Sequence, residues 1–229
     1  MRKLSAIITL IIGLLFFIKS GYAQCPANTT VNLIQNGDFE SCVIGTAAND
    51  HFSTGYTYYG STTCPGGYSS GAMSPNNYTV VAGTAGVSDA HAANTGYYTD
   101  PTGNPGSSPG GHYLIVDVDG TAGKSTYTTT VNVTAGSIYF LSAWMADINA
   151  TFNNAPILKF TINGTQVGST INVDPNANSN AWEQFYATWV APTTGAITIN
   201  IENERLTSNG NDLALDNIIL FWNFNKKWL

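Results

Sequence analysis

From residue 112 onward the chain runs in short stretches where apolar and polar positions alternate, each closed by a turn signal. His112–Val118, Ser125–Val133, Ile138–Ile148, Ile157–Asn163, Gln166–Val173, Trp182–Val190, Ala196–Glu202 and Leu213–Trp222 all read as strands. They are rich in β-branched and aromatic residues. Asp119-Gly120, Asn163-Gly164, Asp174-Pro175 and the 192–195 stretch separate them as turns. Thr30–Gln35 reads as a further strand at the start. Residues 43–111 alternate weakly and are rich in Gly, Ser, Thr, Asn, Pro and Tyr, so they read as loop, most plainly at 101–111. No stretch carries an amphipathic helix of three turns. Eight or more closely spaced strands predict an all-β fold, a two-sheet β-sandwich of jelly-roll form.

Alternation also assigns faces. Tyr127, Val131 and Val133 share one face, and Thr126, Thr128 and Thr130 the other. Trp182, Gln184, Tyr186 and Thr188 share a face opposite Phe185, Ala187 and Trp189. A sandwich buries one face of each strand and leaves the other for water or a ligand. Trp144, Trp182 and Trp189 lie in regular strands and read as core.

The first residues change the address of the protein. Arg2 and Lys3 precede an apolar run from Leu4 to Ile18, and small residues follow at Gly21 and Ala23. This is a secretory signal pattern, and the run is shorter than the roughly 20 residues of a membrane span. Cleavage is expected after Ala23, giving a signal peptide at 1–23, a single domain at 24–223 and a short tail at 224–229. Lipoprotein processing at Cys25 fits poorly because Gln24 precedes it. The expected location is therefore secreted, extracellular or at the cell surface, which permits disulfides. Cys25, Cys42 and Cys64 cannot all pair within one chain, and both Cys25–Cys42 and Cys42–Cys64 remain open. Five N-x-S/T sequons begin at Asn28, Asn77, Asn132, Asn149 and Asn163.

Composition narrows the function. The chain has 229 residues, 43% hydrophobic and only 10% charged, with a net charge of −6. Three of its eight basic residues lie in the signal, so the body carries five Lys+Arg against fourteen Asp+Glu. No basic stripe exists for phosphates, which argues against nucleic acid and anionic membranes as partners. His51, His91 and His112 stand alone. No H-E-x-x-H, H-x-H or G-x-S-x-G pattern is present, so no catalytic residue is assigned and the chain reads as not an enzyme. Glu202 and Glu204 beside Arg205 read as a solvated patch.

Two motifs at the ends of the body carry a resemblance. NLIQNGDFE (Asn32 to Glu40) opens it and GNDLALDNI (Gly210 to Ile218) closes it. The pair resembles the opening and closing signatures of the carbohydrate-binding modules of families four and nine, cellulase-type modules of the galactose-binding-like jelly rolls. Tyr139–Asp147 and Trp182–Trp189 resemble that family's central strands. The resemblance covers about residues 31–221. It implies that the first strand lies near the last with a structural calcium between them. Glu40 and Asp216 match the family's acidic positions and Asp38 is nearby; calcium takes six to eight oxygen ligands. Asn217 departs from the pattern, where a second Asp is frequent. Asp212 is a second acid that equally suits a turn cap. Apart from any metal, Gly37 makes a turn and Phe39 fills core.

The resemblance implies a noncatalytic domain that holds a polysaccharide by stacking and hydrogen bonds. Residue chemistry alone nominates Tyr56, Tyr58, Tyr97 and Tyr98 as platforms, because Tyr joins an apolar body to a polar tip. Asn149 and Gln184 are nominated as hydrogen-bonding partners. The chain is expected to be a monomer. The alternative is an adhesive or structural domain of a bacterial surface protein without a sugar ligand, since similar domains occur in exported adhesins of gliding bacteria. An exposed row of rings favours the first reading. A flat Thr/Asn/Ser face without rings favours the second.

Overall fold

The computed structural model describes residues 31–41, 51–59, 73–82, 112–148, 154–174, 182–207 and 210–222. Eleven strands form among them: β1 Thr57–Tyr58, β2 Asn77–Ala82, β3 His112–Asp117, β4 Lys124–Val133, β5 Ile138–Asp147, β6 Ile157–Ile162, β7 Thr165–Gln166, β8 Ile171–Asn172, β9 Glu183–Val190, β10 Gly195–Asn203 and β11 Leu213–Trp222. A six-stranded sheet runs β1-β2-β3-β11-β5-β9, and a five-stranded sheet runs β4-β10-β6-β7 with β8 on β6. The fold is an all-β, two-sheet sandwich, as the alternation predicts. No helix among the described residues is long and apolar enough to cross a membrane.

The core fills the space between the sheets. Leu114, Val116, Leu141, Met145, Leu213 and Leu215 come from the larger sheet, and Tyr127, Leu158, Phe160, Ile162, Ile199 and Ile201 from the smaller. Phe160 and Phe185 stack across the gap, with ring centroids 3.8 Å apart and planes 8° from parallel. Phe39, Phe52 and Tyr127 make a second aromatic knot, Phe52 lying stacked on Tyr127 at 5.2 Å and Phe39 edge-on to both. Gly168 sits against Phe185, where a Cβ would lie 2.9 Å from the ring, and its φ of 72° is left-handed. Only glycine suits both demands.

Four sequence expectations need correcting. The 31–41 segment is turns and bends, not a strand, because its backbone donors are used in single bonds to β11 and in local turns. The 166–173 stretch gives two two-residue strands, β7 and β8, rather than one. The loop-rich region holds β2, whose Asn77–Ala82 pairs along the whole of β3. Its strand signal is brief and flanked by turn residues. The patch read as solvated at Glu202, Glu204 and Arg205 is half-buried: Lys159 Nζ lies 2.9 Å from Glu202 and 2.5 Å from Glu204, while Arg205 Nε donates to the Ala155 carbonyl.

The larger sheet is buried on part of its outer face too. Tyr113, Ile115, Val81, Ala146 and Ala214 form a second cluster there with Met73 and Ile148. This explains the unbroken burial of β3. Strands covered on both faces read as continuous apolar runs, as in Tyr113–Val116. Among the described residues, the outer face carries half-buried and exposed side chains on β5 and β9.

Candidate functional site

The open part of that face is built by register. Trp144 of β5 lies opposite Gln184 of β9, and Ser142 lies opposite Tyr186. Residues directly opposite share a face, so Trp144, Ser142, Gln184 and Tyr186 form one patch. Gln184 is exposed, Trp144 and Tyr186 are half-buried and Ser142 is buried. Gln184 Nε2 donates to Ser142 Oγ at 3.4 Å, which aims the amide along the sheet between the two rings. Trp182 closes one end, edge-on to Tyr113 at 5.6 Å and 84°. Phe140 lies near the other end against Phe221, at 5.5 Å. Trp144 and Trp182 are thus on the outer face and half-buried, not in the inter-sheet core that their strand position alone suggests. Trp189 does face inward, tilted on Tyr139 at 6.0 Å. Rings that are half-covered and a carboxamide held between them form a rigid surface that offers apolar faces and hydrogen bonds together.

The nominated tyrosines behave differently. Tyr56 is core, only 6% exposed, with Lys124 Nζ 4.3 Å above its ring. Burial, then the carboxylates of Asp119, Asp117 and Asp212, pushes its phenol well above the ordinary value. It is no platform. Tyr58 is half-buried in β1, edge-on to Tyr78 at 5.5 Å. Tyr97, Tyr98 and Asn149 lie outside the described residues, as do the three Cys, His91 and residues 1–23. Sequence reasoning placed Gln184 on this face. It grouped Tyr186 with Gln184 by parity without nominating it and read Trp144 as core; the register of β5 on β9, which parity does not give, brings Trp144 beside them.

The opening and closing motifs meet, as the resemblance implies. Leu33 N donates to the Leu220 carbonyl at 2.8 Å, and Ile218 N to the Gly37 carbonyl at 2.8 Å. Asn32 Oδ1 accepts from Ile34 N and Leu220 N, both at 3.0 Å, and its Nδ2 donates to the Ile218 carbonyl at 3.2 Å. A Cβ on Gly37 would sit 2.0 Å from that carbonyl oxygen. Asn217 takes a left-handed φ of 47° and lets β11 bulge between Asp216 and Ile219; an Asn tolerates that conformation better than most residues.

Protein donors already serve the acids of this junction. Glu40 accepts His112 N at 2.9 Å, and its other oxygen lies 3.0 Å from His112 Nδ1. Asp216 is fully buried and accepts Asn217 N at 2.6 Å and Asn217 Nδ2 at 3.0 Å. Among the described residues Asp38 makes a long 3.5 Å contact with Glu40 N. Among the described residues no group of three or more His, Cys, Asp or Glu is arranged to hold a metal. Asp212 is buried and accepts Val118 N at 3.1 Å, which fixes the end of β3.

A separate groove of about 520 Å3 lies at the edge of the smaller sheet, between Leu33 and Gln35 on one side and β4 on the other.

No family model matches the chain, and no curated protein matches it. Among solved structures it is similar to the Stig cyclase Fisc from Fischerella sp. TAU in complex with (3Z)-3-(1-methyl-2-pyrrolidinylidene)-3H-indole. The two are 14% identical over 86% of this chain and 98% of that one, with a TM-score of 0.55. An apo form cyclase from Fischerella sp. is also 14% identical, over 88% and 100%, with a TM-score of 0.53. These likenesses establish the sandwich fold. The EclA C-terminal domain, a sugar-binding protein, overlaps 52% of this chain and 86% of its own, at 18% identity and a TM-score of 0.41.

Proposed function

We propose that the chain is a secreted, noncatalytic domain that binds a polysaccharide on the outer face of its larger sheet. The observation that carries this reading is the pair of half-buried rings, Trp144 and Tyr186, flanking the exposed carboxamide of Gln184. Sugar rings present C–H faces to aromatic rings and hydroxyls to amides, so stacking plus hydrogen bonding holds them on such a surface. Among these patch residues none is charged, which fits a neutral glycan. The carbohydrate-binding resemblance of the terminal motifs points the same way. A broad array of polysaccharides probed with the mature chain tests this. Retention on a neutral polymer, lost in Trp144→Ala, is the expected result; no retention by folded protein would overturn it.

Calcium belongs to the same reading. The junction offers the donor types this ion takes, carboxylates and main-chain carbonyls. Hydrogen bonds from His112 and Asn217 hold Glu40 and Asp216 as outer donors often hold ligating carboxylates. Glu40 and Asp216 would hold the ion, and its role would be to tie the chain ends together.

One observation favours the adhesive alternative. The outer face of the smaller sheet carries Thr128, Asn200 and Thr161 in one cross-strand row, linked by side-chain hydrogen bonds at 2.8 and 3.4 Å. Thr130 and Thr198 form the next pair, and no ring interrupts these rows. Such a face suits contact with another polar surface. A folded protein that is blank on every polysaccharide but adheres to whole cells would favour it.

A further inference from the structure

We propose that the groove along β4 is a second binding site, independent of the ring face, that takes a neutral saccharide. Its volume of about 520 Å3 lies within the range of small-molecule sites. One wall is Gln35, next to the Asn32 lock that joins the chain ends. The opposite wall is β4 from Thr128 to Asn132, and His51 to Ser53 close the groove between them.

This wall is built, not incidental. Ser53 and Thr128 exchange both main-chain hydrogen bonds, at 2.8 and 2.7 Å. Thr129 Oγ1 donates to the His51 carbonyl at 3.2 Å. His51 itself holds a left-handed φ of 66°. A non-glycine residue keeps that conformation only where its surroundings fix it, and such residues gather at binding sites. Phe52 and Val131, both buried, make an apolar floor.

The division of labour among the polar side chains points to a ligand. The hydroxyls of Thr128 and Thr129 are engaged, with Asn200 and the His51 carbonyl respectively. Gln35, Ser53, Thr130 and Asn132 are exposed, and among the described residues their side chains make no hydrogen bond. Two carboxamides and two hydroxyls therefore face one groove with their donors and acceptors open. Among the described lining residues there is no Asp, Glu, Lys or Arg, and His51 is the one titratable group. A phosphate, a carboxylate or an ammonium group would find no counter-charge among these described residues. A ligand rich in hydroxyls, with apolar C–H faces for the Phe52 and Val131 floor, matches every group present.

The test is a titration of the 15N-labelled mature chain with cellohexaose, xylohexaose, laminarihexaose and mannohexaose at millimolar concentration, followed by amide shifts. At least one of the four is expected to move the resonances of Gln35, Ser53, Thr130 and Asn132. A Gln35→Ala/Asn132→Ala double variant should weaken that response about tenfold, and Thr130→Arg should block it. All of these side chains are exposed, so the melting temperature should hold. Trp144→Ala should leave the groove response intact, which separates this site from the ring face. Shifts confined to the ring face, no groove shift with any of the four sugars, or an unchanged response in both groove variants would overturn the proposal.

Discussion

Gly37 shows how tightly single residues are specified. Its missing side chain is what lets the Ile218 carbonyl approach, and a Cβ would lie 2.0 Å from that oxygen. Gly37→Ala forces the backbone apart at the chain-end junction and is expected to cost about 3 kcal/mol, the upper part of the overpacking range; urea unfolding measures it, and an unchanged midpoint would refute the close approach. Asn32 acts through three hydrogen bonds, two accepted and one donated. Asn32→Ala leaves Leu220 N and the Ile218 carbonyl without that partner and should cost about 1–3 kcal/mol. Asn32→Asp keeps the acceptor and loses the donor, so it should fall between. Asp119 adds a pH signature. Burial pushes its carboxyl up, but hydrogen bonds from Lys124, at 2.6 Å, and from Thr121 outweigh that and hold it below its ordinary value. A depressed carboxylate stabilises the fold above its unfolded pKa, about 3.9, and that contribution disappears as pH falls through the lower folded value. Asp119→Asn should therefore lower stability at neutral pH and flatten the loss below pH ~4; an acid-unfolding series on both proteins reads this directly.

At the scale of elements, strand pattern and site pattern were legible to different degrees. β11 was read at its observed bounds, Leu213–Trp222, and β4, β5, β6, β9 and β10 to within one or two residues. Alternation is strong in them because one face meets the core and the other meets water. The same signal misread 30–35, whose apolar Val31, Leu33 and Ile34 follow β11 through isolated bonds rather than a ladder. It also missed β2, a strand whose pairing with β3 no local pattern announces. The faces of β9 were correctly sorted by parity, which put Gln184 with Tyr186. What parity could not give was cross-strand register: Trp144 joins them only because β5 pairs antiparallel with β9 at that alignment. Tyr56 failed as a platform for a related reason. Its sequence surroundings are polar, yet the sandwich folds it inward among Phe52 and Tyr127. Tyr186→Ala and Gln184→Ala should each weaken polysaccharide binding about tenfold, roughly 1.4 kcal/mol, and Tyr56→Phe should leave it unchanged. Binding isotherms on the three variants separate ring-face from loop-tyrosine recognition.

As a whole the described residues form a sandwich in which the 32–37 segment is locked to β11 and whose outer faces differ in chemistry. One face offers rings with an amide between them, and the other offers rows of Thr and Asn. The lock at Asn32, Gly37 and Asn217 is made by the protein's own groups, with His112 on Glu40 and Asn217 on Asp216. Calcium at this junction would add to that lock. Millimolar calcium should raise the melting temperature by several degrees and a chelator should reverse it, with the gain absent in Glu40→Gln. No calcium response in the wild-type chain would leave the hydrogen-bonded lock as the whole of the tie. The most direct measurement is affinity electrophoresis of the mature chain through neutral polysaccharides, wild type beside Trp144→Ala, with circular dichroism to show that both are folded. Retardation of the wild type by at least one polymer and free migration of the variant is the expected outcome. Equal migration of the two proteins in every polymer would contradict carbohydrate recognition by the ring face.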